Sequence, residues 1–174
     1  MAIETKRLRF RPWTEADAEA LFKYASDPDV GPRAGWPPHT SVEDSLSVIR
    51  TFFANDHTWA LVLKETGEPV GCMGYYIHGE SNIGIGENDA ELGYWIAKPY
   101  WNQGLCTEAL RAMIDYCFNK KGVDLFERLW LRYIGPCKIV YTRSAEGRKV
   151  LLKARKYAFS ASKLKKSKRL SKWQ

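Results

Sequence analysis

The stretch Ala97-Lys98-Pro99-Tyr100-Trp101-Asn102-Gln103-Gly104-Leu105-Cys106-Thr107-Glu108 carries the most chemical promise in this chain. It follows Ala90–Ala97, an apolar run that reads as a strand stopped by Pro99. It opens Gln103–Phe118, where Cys106, Ala109, Leu110, Met113, Ile114 and Cys117 keep the helical period. A strand that turns tightly into a helix through glycine aims several unpaired backbone N–H groups at one point. With the positive end of the helix dipole, those donors form an anion site suited to phosphate. Gly104 matters because a side chain there would hold a pyrophosphate off the backbone. Cys106 and Thr107 are also small. Alone, a glycine at a helix start equally fits an ordinary strand–turn–helix unit.

The elements that must position this stretch follow from the rest of the pattern. Lys6–Trp13 alternates and reads as a strand; Thr14 and Asp17 stand at capping-box spacing before a short helix with Ala18, Leu21, Phe22 and Ala25 on one face. Asp27-Pro28 ends that helix, and the Gly/Pro-rich Gly31–Thr40 reads as a loop. Ser41 with Asp44 opens a second helix whose apolar face is Val42, Leu46, Ile49 and Phe53. Trp59–Lys64, a turn at Glu65–Glu68, and Pro69–Ile77 form a β-hairpin. The loop Gly79–Asn88 leads to the central strand, and Phe126–Ile134 is a strand after the long helix. The order β-α-α-β-β-β-α-β, without repeats, predicts an α/β (α+β) fold with a mixed sheet.

A chain of 174 residues suits a single core, and no apolar run is long enough to cross a bilayer. With no secretory leader pattern in MAIETKRLRF, the expectation is a cytoplasmic protein. Cys72, Cys106, Cys117 and Cys137 are scattered without metal-ligand spacing, so no metal is expected. The formal charge of +7 is unevenly spread: residues 133–174 hold 13 Lys/Arg against the single acid Glu146. Residues 1–132 carry the remaining 14 Lys/Arg against 19 Asp/Glu. Basicity therefore belongs to one segment.

Two regions resemble a known family. Thr5-Lys6-Arg7-Leu8-Arg9-Phe10-Arg11, then Asp17-Ala18 and Asp27-Pro28-Asp29-Val30, form one. Glu91-Leu92-Gly93-Tyr94-Trp95-Ile96, Pro99-Tyr100-Trp101 and Gln103–Ala109 form the other. Together they resemble the GNAT N-acetyltransferases, in the branch of the ribosomal-protein N-terminal acetyltransferases (RimJ/RimL type). The family motif [QR]-x-x-G-x-[GA] keeps Gly104, with Trp101 at the polar first position and Cys106 at the small last one. The resemblance covers about residues 3–132. It implies a GNAT-like fold and direct transfer of acetyl from acetyl-CoA to an amine, either a protein N-terminus or a small molecule, by a monomer or homodimer. It implies a strand Glu91–Ala97 that splays from Phe126–Ile134. The gap would hold pantetheine against backbone groups of Trp95, Ile96 and Ala97. Trp101, Asn102, Gln103, Gly104, Leu105, Cys106 and Thr107 would surround the pyrophosphate.

Glu91, opposite in face to Leu92, Tyr94 and Ile96, is the candidate proton acceptor, directly or through water; the alternative is pairing with a nearby Arg. Trp36 and His39, in Trp36-Pro37-Pro38-His39, stand where the family lines its acceptor pocket, and fit a packed surface loop equally well. Tyr75, Tyr76, Tyr94 and Trp95 read as sheet packing, with Tyr94 a candidate to reach the substrate. His57 and His78 read as exposed polar residues at strand edges, and Cys106 lacks a His partner in sequence for thiolate chemistry.

The resemblance stops near Leu131. The family's Asn-x-x-Ser-x-x-Val-x-x-Lys-x-Gly-Phe ending is replaced by Gly135-Pro136-Cys137 and Arg148–Tyr157, with Val150 and Lys153 in the Val and Lys places. The expected division is thus a core over residues 1–134 and an atypical basic segment over 135–174, partly helical or disordered, with the family's last two strands not visible. The rival reading is a catalytically inactive relative whose frame shifted near residue 133, or one that binds nucleic acid through residues 160–174.

Overall fold

The computed structural model describes residues 3–77, 87, 89–121, 125–130, 137–143 and 150–156. The loop before residue 87, His78, the end of the expected strand beyond 130, and the tail 160–174 lie outside them. Tertiary contacts divide the chain into two units: Met1–Tyr75 with Gly93–Cys117, and Tyr76–Leu92 with Phe118–Gln174.

In the first unit, β1 (Leu8–Arg11) pairs antiparallel with β2 (Thr58–Leu63), which pairs antiparallel with β3 (Pro69–Ile77). β4 (Asp89–Ile96) is the next strand in order. Gly71 is what lets the backbones meet there: a Cβ on it would lie 2.5 Å from the Trp95 carbonyl oxygen. The turn between β2 and β3 closes at Gly67, whose φ of 74° is left-handed.

The helices follow their sequence signals. Thr14 and Asp17 close this start together: Thr14 N–H and Oγ1 both donate to Asp17 Oδ2 at 2.9 Å, and Asp17 N–H donates to the Thr14 carbonyl at 3.0 Å. A short 3₁₀ turn, Glu15–Asp17, leads into α1 (Ala18–Ala25). One correction falls inside the expected loop, where Gly31–Ala34 forms a one-turn helix, α2. Pro32 sits in its first turn, where the missing N–H costs nothing, and Gly35 ends it at φ 94°. α3 (Val42–Val48) starts at Ser41, whose Oγ accepts from Asp44 N–H at 3.1 Å, and widens into a π-type turn over Ile49–Phe53. α1 packs on α3. α4 (Leu105–Tyr116) buries Ala109, Met113 and Ile114 of the expected stripe together with Leu105, while Cys106 and Leu110 are half-buried.

In the second unit, β4 pairs in parallel with β5 (Leu125–Trp130) from Asp89↔Leu125 to Glu91↔Glu127. β6 (Cys137–Arg143) and β7 (Val150–Lys156) then continue as antiparallel neighbours. Two strands thus stand where the sequence showed none, while the tail 160–174 lies outside the described residues. Cys-Lys-Ile-Val-Tyr-Thr-Arg is rich in β-branched and aromatic residues, and its pairing with β5 and β7 supplies the ladder that local reading cannot see.

Candidate functional site

The turn after β4 is tied to the chain on one side and left open on the other. Tyr100 N–H donates to Ala97 O at 2.9 Å and Trp101 N–H to Lys98 O at 3.1 Å, closing a 3₁₀ turn, Lys98–Tyr100. The Trp101 indole Nε1 donates to Ile96 O at 2.6 Å, and Gln103 Nε2 to Pro99 O at 2.9 Å. Asn102 (φ 61°) and Gly104 (φ 77°) are both left-handed, with Gln103 between them. Asparagine tolerates that region; glycine prefers it. Alternating hand along a turn brings successive N–H groups into one concavity, a nest for an anion.

Leu105 then enters the core, 2% exposed, and fixes where α4 starts. No side chain caps the helix. Among the described residues, the backbone N–H groups of Gln103 through Thr107 have no acceptor, and regular helical pairing begins with Glu108 N–H to Gly104 O at 3.0 Å. A Cβ on Gly104 would meet only Arg7 Nη2, at 3.6 Å. An uncapped helix start with free donors is what a phosphate requires.

The other predicted site residues fall into two groups. Asn102, Gln103, Gly104 and Thr107 are exposed around the nest, with Trp101 and Cys106 half-buried. Ile96 and Ala97 are more committed than expected: the Ala97 N–H donates to Val70 O at 2.8 Å, its carbonyl accepts from Tyr100, and the Ile96 carbonyl accepts from Trp101. Ala97 therefore has no N–H to offer a pantetheine arm. Cys106 does not present a thiolate, because burial pushes its pKa up to about 11.

Trp36, His39 and Trp95 come together in an aromatic cluster that also takes in Trp13 and Phe53. Trp36 lies 5.1 Å from His39 and 6.1 Å, edge-on, from Trp95; Trp13 stacks 5.1 Å from Phe53 and 6.3 Å from Trp95. His39 is 6% exposed and its Nδ1 lies 2.7 Å from Ser45 Oγ; burial lowers its pKa, so the ring is held neutral. Its loop is thus packed onto α3, while Trp36 stays half-buried. Tyr94 and Glu91 are half-buried on β4. His57 is half-buried beside Tyr75, 6.0 Å between rings, and not an exposed edge residue.

Local sequence reading left Arg7, Thr5 and Glu108 without roles at this turn. Glu108 Oε1 accepts from Thr5 Oγ1 at 2.6 Å and from the Arg7 N–H at 2.8 Å; its Oε2 accepts from Arg7 Nε at 2.7 Å. Burial alone would raise its pKa, but these bonds outweigh that and hold it below the usual carboxylate value. Arg7 Nη1 donates to Gln103 O at 2.9 Å. Among the described residues no cluster of His, Cys, Asp and Glu could hold a metal ion, and no helix is long and apolar enough to cross a membrane.

Residues 7–134 match the family model described as Acetyltransferase (GNAT) domain. The uncharacterised N-acetyltransferase YoaA of Bacillus subtilis is 29% identical over 156 residues, spanning 87% of this chain and 80% of YoaA. The uncharacterised N-acetyltransferase p20 of Bacillus licheniformis is 29% identical over 132 residues, 72% of this chain and 70% of p20. A GNAT-family acetyltransferase from Bacillus anthracis superposes with a TM-score of 0.62 at 23% identity, covering 74% of this chain and 73% of that one, which establishes the shared fold. A Vibrio cholerae structure provisionally named a ribosomal-protein-serine acetyltransferase superposes with a TM-score of 0.59 at 25% identity, covering 74% and 73%.

Proposed function

Because the chain belongs to the GNAT acetyltransferase family, with its α+β fold, we propose that it moves the acetyl group of acetyl-CoA directly to an amine. The observation that carries this is the row of unpaired N–H groups from Gln103 to Thr107 at an uncapped helix start. Those donors suit a pyrophosphate, and the left-handed Gly104 lets it approach the backbone. Acetyl-CoA supplies an activated thioester, so the chain has to align it, polarise its carbonyl and remove one proton from the amine. Glu91, on the strand leading into the turn, is assigned the proton. The backbone of Trp95 and Ile96 on β4 is assigned to the pantetheine arm. On the acceptor side, Trp36 and Tyr94 are the half-buried aromatic residues assigned to substrate contact, and His39 supports Trp36.

The acceptor belongs to the class of protein N-terminal amines, as in the RimJ/RimL branch. The Vibrio structural relative supports that choice over small amines. The test is calorimetric titration with acetyl-CoA, followed by thiol release on a panel of N-terminal peptides and small amines. Saturable binding with turnover on peptides is the expected result. Absence of acetyl-CoA binding would remove the reading, and turnover confined to small amines would remove its acceptor half. Glu91→Gln should lower kcat by about 100-fold with unchanged thermal stability.

A further inference from the structure

Arg7 stands 96 residues before the Gln103 carbonyl to which its Nη1 donates, yet it touches the turn at three points. Its N–H and Nε hold Glu108, at 2.8 and 2.7 Å, and its Nη1 holds Gln103 O at 2.9 Å. From these contacts we infer that Arg7 is a positioning residue for coenzyme binding, acting through the Gln103–Gly104 peptide. This inference rests on the acetyl-CoA reading above.

The reasoning is geometric. Every described peptide is trans, and in a trans peptide the carbonyl and the following N–H point in opposite directions. Drawing the Gln103 carbonyl onto the guanidinium therefore turns the Gly104 N–H away from Arg7, toward the open side of the turn. Glycine at 104 has no side chain to hold that peptide plane by itself, and φ 77° is one of several regions open to it. A planar guanidinium with Nε on Glu108 and Nη1 on the carbonyl removes that freedom. The same grip answers an electrostatic problem. Glu108 places a carboxylate in the first turn of α4, where it would repel a phosphate, and Thr5 and Arg7 occupy both of its oxygens.

The experiment compares two acetyl donors, acetyl-CoA and S-acetylpantetheine, which lacks the nucleotide and its pyrophosphate. For Arg7→Ala, kcat/KM with acetyl-CoA should fall by about 10- to 100-fold, mainly through KM, because a charge-assisted contact is lost. With S-acetylpantetheine the change should stay within about twofold, since that donor does not use the turn. Arg7→Lys keeps the charge but not the planar fork, so it should fall between wild type and Arg7→Ala with acetyl-CoA. Thermal melting of both variants separates misfolding from the effect. Equal losses with both donors, or no loss with acetyl-CoA, overturn the inference while leaving the acetyl-CoA reading intact. A wild-type protein that uses neither donor overturns both.

Discussion

Gly104 and Cys106 sit two positions apart in one turn and make opposite predictions. Gly104 has φ 77° and a Cβ there would make only an ordinary contact, 3.6 Å to Arg7 Nη2, so Gly104→Ala meets a conformational penalty and no clash. That penalty is about 1–2 kcal/mol for an L-residue held left-handed. Relief by rotating the peptide would also spoil the nest. The variant should melt earlier and bind acetyl-CoA about tenfold more weakly, as thermal melting and calorimetry would show. Cys106 keeps its proton at neutral pH, its pKa standing near 11. Iodoacetamide at pH 7.5 should leave its thiol unalkylated and the activity intact, read by mass spectrometry beside a turnover assay. Rapid loss of activity with modification at Cys106 would restore a role for the thiol. Gly104 was legible in sequence because a backbone requirement is written at one position. Arg7 was not, because its partner Glu108 lies 101 residues away and only the folded sheet brings them together.

At the level of elements, local grammar is legible where one segment closes on itself. Thr14/Asp17 and Ser41/Asp44 capped the helices they announced, and the β2–β3 hairpin formed around Gly67. What escaped was the second use of each residue. Asp17 also grips Arg11 through paired contacts of 2.6 and 2.7 Å while only 6% exposed. Burial raises its pKa, but hydrogen bonds from Arg11 and Thr14 prevail and lower it. Asp17→Ala should cost about 3 kcal/mol by leaving Arg11 without its partner, a loss measurable by urea unfolding. His39 gives a pH signature of the same kind. Its folded pKa lies below the unfolded value of about 6.5, because burial disfavours the imidazolium. Below that pH the unfolded chain takes up a proton that the folded one does not, so stability should fall as pH drops from about 6.5 toward the folded pKa. Replacing His39 with Gln should flatten this slope. A slope unchanged in the variant would assign it to other groups.

Across the whole molecule, the strand order up to β5 was legible from alternation and period, whereas β6 and β7 were not. Their ladder partners are strands, Leu125–Trp130 with Cys137–Arg143 and Cys137–Arg143 with Val150–Lys156, and no short motif encodes such pairing. A high density of Lys and Arg there resembled a solvated tail. In the structure β6 covers the open edge of β5. A fragment ending at residue 134 should therefore expose that edge and aggregate, as seen by sedimentation. A soluble, cooperatively folding fragment would show that the hairpin is dispensable.

The central claim is that the backbone from Gln103 to Thr107 grips a pyrophosphate. Amide NMR shifts followed during titration with coenzyme A, and in parallel with pantetheine, test it most directly. The account predicts large downfield movement of the Gly104–Thr107 amide protons with coenzyme A and little with pantetheine. Amides of this turn that stay in place while coenzyme A binds elsewhere would contradict it.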